Sequence, residues 1–233
     1  MPEAMGRKSR AFMLPMLADV SRIPPRNSAV GIGIARIGAA MFVVVLLVHT
    51  FLGRIAVGDA NPFDYFGYFT NQTSLLAAVV LTASGSHSVR NQRPPHWLVA
   101  ARGVVTACLL VVAVIYNGLV PGTGTAPAWI SAVLHVYFPL FVLLDWVLVG
   151  DRAPLRWRTL WIVLPYPLAW LAVVLVRGAT DGWVPYGFLL PERGVMSLLG
   201  YSAALLFTLV ASGALVWAGS RSPGILLPRA DFA

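Results

Sequence analysis

An all-α, polytopic membrane protein, a six-transmembrane-helix bundle with both termini cytoplasmic, is the fold class the sequence predicts, and three observations predict it. Of the 233 residues, 58% are hydrophobic and 11% are charged, a balance too apolar for a water-soluble domain of this size. The apolar residues gather into six stretches, each near the roughly 20 residues that cross a hydrocarbon core of about 30 Å at about 1.5 Å per residue. Basic residues fall on alternate connections, as in a chain threaded back and forth through a bilayer.

Residues 1–28 mix Met, Pro, Ser and Arg without periodicity, and Pro24-Pro25 closes off any helix before the first span. A disordered basic tail is expected there, drawn to anionic head groups by Arg7, Lys8, Arg10, Arg22 and Arg26. The transmembrane domain is expected over 29–219, with span 1 at 30–52. Its apolar run begins after a tail longer than a signal n-region and lacks a small-x-small cleavage site, so it reads as an uncleaved anchor. Span 2, at 65–84, opens on polar residues. Span 3, at 97–120, holds Cys108, the single cysteine, which leaves no intrachain disulfide and reads as a packing residue. Span 4, at 127–149, carries His135 and ends on Asp145-Trp146. Span 5, at 158–177, is interrupted by Pro165 and Pro167, and span 6 runs over 195–218, followed by a tail at 220–233.

The N-terminal tail, Arg90 and Arg93 after span 2, Arg152, Arg156 and Arg158 after span 4, and Arg221 and Arg229 at the C-terminus hold most of the positive charge. The other connections hold only Arg54 and Arg193. By the positive-inside rule the termini and the second and fourth connections are cytoplasmic. Threading also accounts for the formal charge of +8, so nucleic acid is not an expected partner, whereas membrane lipids are. Arg-rich, Lys-poor usage with much Ala, Gly and Val suits a GC-rich bacterial source, and the expected location is a bacterial plasma membrane.

Polar groups are costly in hydrocarbon and turn toward other helices or a wet cavity. Span 2 enters from outside with Thr70-Asn71-Gln72-Thr73-Ser74, five consecutive polar side chains. Two readings stand: interhelical hydrogen bonding, and a site. Thr70 lies about five residues into its span and His135 about seven, hence ~8 and ~10 Å deep at a common level. Span 3 brings Tyr116 and Asn117 to the same level, span 1 brings His49 and span 5 brings Arg177. Asp145 lies ten residues past His135 on the same helix, too far to orient its imidazole. Asp145 and Trp146 are expected to pair with Arg152 or Arg156 and anchor in the headgroup belt. Arg36 and Arg102, near the cytoplasmic ends of spans 1 and 3, are expected to snorkel.

The four histidines His49, His87, His96 and His135 divide between the two faces, and no His-x-x-x-His or cysteine pair exists, so no metal is expected. With no Gly-x-Ser-x-Gly, P-loop or dinucleotide fingerprint, no cofactor is expected either.

Tyr68-Phe69-Thr70-Asn71-Gln72-Thr73-Ser74-Leu75-Leu76, Tyr116-Asn117, His135 with Pro139 and Asp145-Trp146, Tyr166-Pro167, Arg177-Gly178 and Trp183-Val184-Pro185-Tyr186 resemble the bacterial Pr6Pr family of six-span membrane proteins over about 30–218. That family is similar to the eukaryotic androgen-induced and androgen-dependent TFPI-regulating proteins, membrane threonine hydrolases that cleave esters between a fatty acid and a hydroxy fatty acid. Their Tyr-Leu-Thr resembles Tyr68-Phe69-Thr70, which implies Thr70 as nucleophile. Their Trp-hydrophobic-Asn-x-x-x-His resembles Trp129-Ile130-Ser131-Ala132-Val133-Leu134-His135, which implies His135 as base. Two positions depart from the pattern: Thr73 stands where the family Thr is followed by Asn, and Ser74 where bacterial relatives commonly have Asn.

On this resemblance Thr70 requires His135 at hydrogen-bond distance. The amides of Asn71, Gln72 and Asn117 are expected to receive the oxyanion. Thr73, Ser74, Tyr116 and His49 would line the substrate, and Arg177 would hold a carboxylate. The implied substrate is an amphiphilic lipid ester reached from the outer leaflet. The competing class is a non-enzymatic carrier, sensor or scaffold subunit.

Overall fold

The computed structural model describes residues 26–122 and 126–227, whose regular structure is helical, with no strand among them beyond one isolated bridge between Val149 and Leu227. The expected N-terminal tail lies outside the described residues except for 26–28, which begin the first helix. Among the described residues there are six long helices: α1 (Arg26–Ala56), α2 (Phe69–Val89), α3 (His96–Leu119), α4 (Ala128–Leu148), α5 (Trp157–Thr180) and α6 (Val195–Gly219). Each expected span falls on one of them. The largest displacement is α2, which starts four residues later than expected because Asn61 caps a separate helical turn at Pro62–Tyr65.

Five of these helices, all but α2, are long and apolar enough to cross a membrane. The exception has a packing explanation. At 21 residues α2 is long enough, but it opens on the Thr70–Ser74 polar run and closes on Ser84, Ser86, His87 and Ser88. Ten of its residues are buried, so neighbouring helices, and not its own hydropathy, shield it. α1 lies along it closely enough that a Cβ on Gly33 would stand 2.7 Å from the Gly85 carbonyl oxygen, and one on Gly85 would stand 2.7 Å from that of Gly33. Small residues at such a crossing permit backbone contact between helices that meet in an apolar medium.

Three core clusters result among the described residues, the smallest of them Val174 of α5 with Phe188 and Leu189 of the connection to α6. Ala40, Val43 and Leu47 of α1 meet Ala77 and Leu81 of α2 and Ile130, Leu134 and Val142 of α4. The second joins Ala107, Cys108 and Val111 of α3 to Trp146, Val163, Leu209 and Trp217. α5 stands at the periphery. It begins as a 3-10 helix over Trp157–Val163 and restarts at Pro165, and beyond that point only Val174 is buried.

Cross-helix contacts show that successive helices alternate in direction. The start of α1, the start of α3 and the end of α4 meet in one closed ring of ion pairs. Arg36 Nε and Nη1 bond Asp145 Oδ1 at 2.8 Å and Asp151 Oδ2 at 2.5 Å, while Arg102 Nη2 and Nη1 bond Asp145 Oδ2 and Asp151 Oδ1, both at 2.8 Å. This corrects two expectations. Arg36 and Arg102 do not snorkel but are 0% and 2% exposed, and Asp145 pairs with them and not with Arg152 or Arg156. A carboxylate surrounded by two guanidinium forks gains more than one paired with a loop arginine in water. Arg152 instead donates to the carbonyls of Val149 and Gly219, clamping the end of α4 to the end of α6. Trp146, expected at the headgroup belt, is 1% exposed and donates its indole N–H to Val216 O at 2.9 Å, with the Arg152 guanidinium 5.1 Å over its ring. Residues 220–227 fold back on the same end, where Ile225 and Leu226 donate to Leu148 O.

Candidate functional site

At the opposite end of the bundle, α2 begins immediately after Tyr68, so Thr70 occupies the first helical turn, 7% exposed. Across from it α4 is irregular. Pro139 has no N–H and its ring cannot coexist with a bonded carbonyl four residues earlier, which is that of His135. The helix responds with a π segment at Val133–Tyr137, in which Phe138 N–H reaches back to Val133 O. The His135 carbonyl freed by Pro139 accepts from Asn117 Nδ2 at 3.4 Å. Widening at this point carries the His135 ring toward α2, where its Nε2 lies 3.3 Å from Thr70 Oγ1.

The other ring nitrogen fixes the proton. His135 Nδ1 lies 2.8 Å from the Ser131 carbonyl oxygen, which can only accept, so Nδ1 carries the hydrogen and Nε2 offers its lone pair to the threonine. Ser131 Oγ stands 3.2 Å from Nδ1 and 2.6 Å from the Tyr116 phenol. The Tyr116 ring stacks on the imidazole at 3.5 Å between centroids and 13° between planes, and its hydroxyl accepts from Gly122 N–H at 3.1 Å. Thr70, His135, Ser131 and Tyr116 thus form one chain of polar contacts across three helices.

Beside Thr70 an apolar groove opens between α3, α5 and α6, walled by Val112, Ile115, Leu168, Leu171, Leu205 and Leu209. Its polar lining residues are Thr70, Tyr116, Tyr186 and Trp170, the last with its indole N–H donated to Gly67 O at 2.8 Å. Tyr186, on the connection between α5 and α6, packs edge-on against Tyr68 and Trp170 and stacks on Phe188. Burial pushes its phenol up, partly offset by the Thr70 hydroxyl and the Thr70 and Phe69 amides that face it. Sequence reasoning gave Tyr186 and Ser131 no role. Tyr186 lies in a connection whose folding over the groove no periodicity reports, and the part of Ser131 depends on the π segment.

The remaining expected site residues lie elsewhere. Asn71 donates to Tyr65 O at 2.8 Å, closing the turn before α2, and Asn117 donates to Ala113 O at 2.8 Å besides His135 O. Both amides thus bond main-chain carbonyls, those of Tyr65, Ala113 and His135. Gln72 accepts from Tyr166 at 3.3 Å and lines a second cleft with Arg177, Trp170 and Trp183. Thr73 Oγ1 lies 3.1 Å from the same Tyr166 hydroxyl, and Ser74 is wholly buried with its Oγ without a hydrogen-bond partner. Neither lines the groove, and both are fully buried about one turn along α2 from Thr70. His49 is exposed on α1 and hydrogen-bonds neither Thr70 nor His135. Arg177 already lies between Asp64 at 2.9 Å and Asp181 at 2.8 Å, with its guanidinium 4.2 Å over Trp183. Among the described residues no group of three or more His, Cys, Asp or Glu side chains is arranged to hold a metal.

No family model, curated protein or solved structure matches this chain. The helical architecture, with five helices long and apolar enough to cross a membrane, is compatible with an integral membrane protein.

Proposed function

We propose that this is a six-span protein of the bacterial plasma membrane, of the Pr6Pr type, that hydrolyses lipid esters with Thr70 as nucleophile and His135 as general base. The observation that carries the reading is the 3.3 Å approach of Thr70 Oγ1 to His135 Nε2 while Nδ1 is bonded to Ser131 O. A threonine hydroxyl is a weak nucleophile until a neighbouring base accepts its proton, and a neutral imidazole with the acceptor nitrogen turned to it is such a base.

The steps follow from that pair. Thr70 Oγ adds to the ester carbonyl carbon as its proton passes to His135 Nε2, and the carbonyl becomes an oxyanion. The Tyr186 phenol, which lines the same groove as Thr70, is the donor assigned to that oxyanion. Collapse breaks the bond to the alcohol oxygen, which takes the proton from Nε2 and leaves an acyl-threonine. Water then gives a proton to Nε2 and its oxygen to the acyl carbon. Cleavage of the threonine ester releases the fatty acid and returns the proton to Oγ. The acyl chain lies in the apolar groove, whose α5 and α6 rims carry the exposed Leu168 and Leu206 and so face lipid directly.

The full chain in nanodiscs is expected to label with a fluorophosphonate probe and to release fatty acid from lipid esters. Both signals should vanish in Thr70→Ala and fall by at least about 100-fold in His135→Ala, in the range that general-base catalysis contributes. An unlabelled, inactive wild-type protein that still folds would favour the carrier or scaffold class instead.

A further inference from the structure

Two cavities meet at one side chain. The groove that reaches Thr70 and the second cleft, beside Gln72 and Arg177, share Trp170 and no other lining residue. The helix explains the sharing. At about 3.6 residues per turn, Pro167, Leu168 and Leu171 of α5 fall on one side of Trp170, where they line the groove, while Tyr166, Ala169 and Val173 fall on the other and line the cleft. The indole stands between them as a partition.

Three contacts hold it there. Besides the bond from Nε1 to Gly67 O, the ring lies tilted against Phe69 at 5.0 Å and edge-on to Tyr186 at 5.9 Å between centroids. Phe69 precedes Thr70 in the chain and Tyr186 lines the groove with it, so the partition stands at the Thr70 end of the groove. An acyl chain lying in the groove with its carbonyl carbon at Thr70 Oγ passes the indole with its first few carbons. A straight chain needs only the groove. A branch on those carbons has to displace a ring held on three sides, and such overpacking is costly in a closely packed interior. The lipid-facing rim offers no way out at that point, since Leu168 stands about half a turn round α5 from Trp170. Behind the indole, however, lies a cleft of about 310 Å³.

From this we infer that Trp170 is a specificity-determining residue, which confines the enzyme to esters of straight-chain fatty acids by closing the cleft to branches near the acyl carbonyl. The inference rests on the hydrolase reading of Thr70 and His135 and adds to it a residue that takes no part in the chemistry.

The test compares two esters of the same hydroxystearic acid, one carrying a palmitoyl group and the other a β-propylpalmitoyl group. Both are presented to the full chain in nanodiscs, with Thr70→Ala as the blank. Wild type should favour the straight chain in kcat/KM by at least about tenfold, the lower end of what one surplus methylene costs in a hydrophobic pocket. Trp170→Ala joins the cleft to the groove and should shrink that ratio several-fold, whatever it does to the absolute rates. The intrinsic reactivities of the two esters cancel between variants. Trp170→Phe loses the bond to Gly67 O but keeps an aromatic wall, so its ratio should stay close to that of wild type. Should Trp170→Ala fail to fold, Trp170→Leu carries the comparison, with a smaller shift in the same direction. Equal turnover of the two esters by wild type, or an unchanged ratio when the wall is removed, overturns the inference and leaves the hydrolase reading standing. Turnover of neither ester by wild type overturns the hydrolase reading, and this inference with it.

Discussion

Tyr116 does two things to His135: its ring covers one imidazole face at 3.5 Å, and its hydroxyl engages the Ser131 hydroxyl beside Nδ1. Tyr116→Phe separates them, since it keeps the stack and removes the hydroxyl. A neutral hydrogen bond contributes about 1 kcal/mol, so ester turnover should fall about fivefold while expression and probe labelling persist. Ser131→Ala removes the other end of the same contact but leaves the Ser131 carbonyl, so its effect should match that of Tyr116→Phe. The double variant should cost little more than either single one. Additive losses would show that the two hydroxyls act separately. At this scale the sequence was legible where residue type and depth sufficed: counting from span boundaries set Thr70 and His135 at one level. It was not legible where a side chain's partner is a main-chain carbonyl, as for Asn71 on Tyr65 O and Asn117 on Ala113 O. Nor was the commitment of Arg177 readable, because Asp64 lies 113 positions away and reaches it only through the fold.

Among the helices, α4 shows how one proline sets a site. Pro139 prevents the His135 carbonyl from accepting a helical bond, and the π segment at Val133–Tyr137 follows from it. Pro139→Ala restores an N–H at 139 and permits regular α-helix, which would rotate His135 relative to Thr70. The expected outcome is an unchanged or raised melting temperature in detergent with at least about a tenfold loss of turnover, since small displacements of a catalytic pair are costly. A variant that keeps wild-type activity would show that the π segment does not position the base. The α1–α2 crossing makes the opposite demand, because no side chain fits between Gly33 and Gly85. Gly33→Leu should destabilise by about 1–3 kcal/mol through overpacking, read as a lower melting temperature, whereas Gly38→Leu, where a Cβ meets nothing within 4 Å, should not. The helices themselves were readable from apolar length, and α2 only from its length, because a helix buried by its neighbours need not be hydrophobic.

Over the whole molecule, one end is closed by charge and the other holds the groove. The alternation of arginines along the sequence foretold which connections share an end, but not that Arg36, Arg102, Asp145 and Asp151 would leave the surface and close on one another. A ring of two cations and two anions is neutral, and neutrality is what permits its burial among helices. Arg36→Leu would leave one carboxylate unpaired and should destabilise by about 3–5 kcal/mol. Arg36→Leu/Asp145→Leu restores neutrality, so its melting temperature should lie above that of the single variant even though more native contacts are gone. The same ring sets an acid limit. Burial alone would raise the Asp151 carboxyl, but Arg102 and Arg36 outweigh it and hold it well below the usual carboxylate range. A carboxyl depressed in the folded state contributes stability that is fully present above its unfolded value, near 3.9, and lost as pH falls through the folded one. For this contribution the melting temperature should therefore be flat from about pH 8 to pH 5 and fall only below about pH 4. In Asp151→Asn it should start lower at neutral pH and converge on wild type in acid. A wild-type midpoint that fell between pH 7 and pH 5 in step with the variant's would mean that another titrating group, and not this ring, limits the fold.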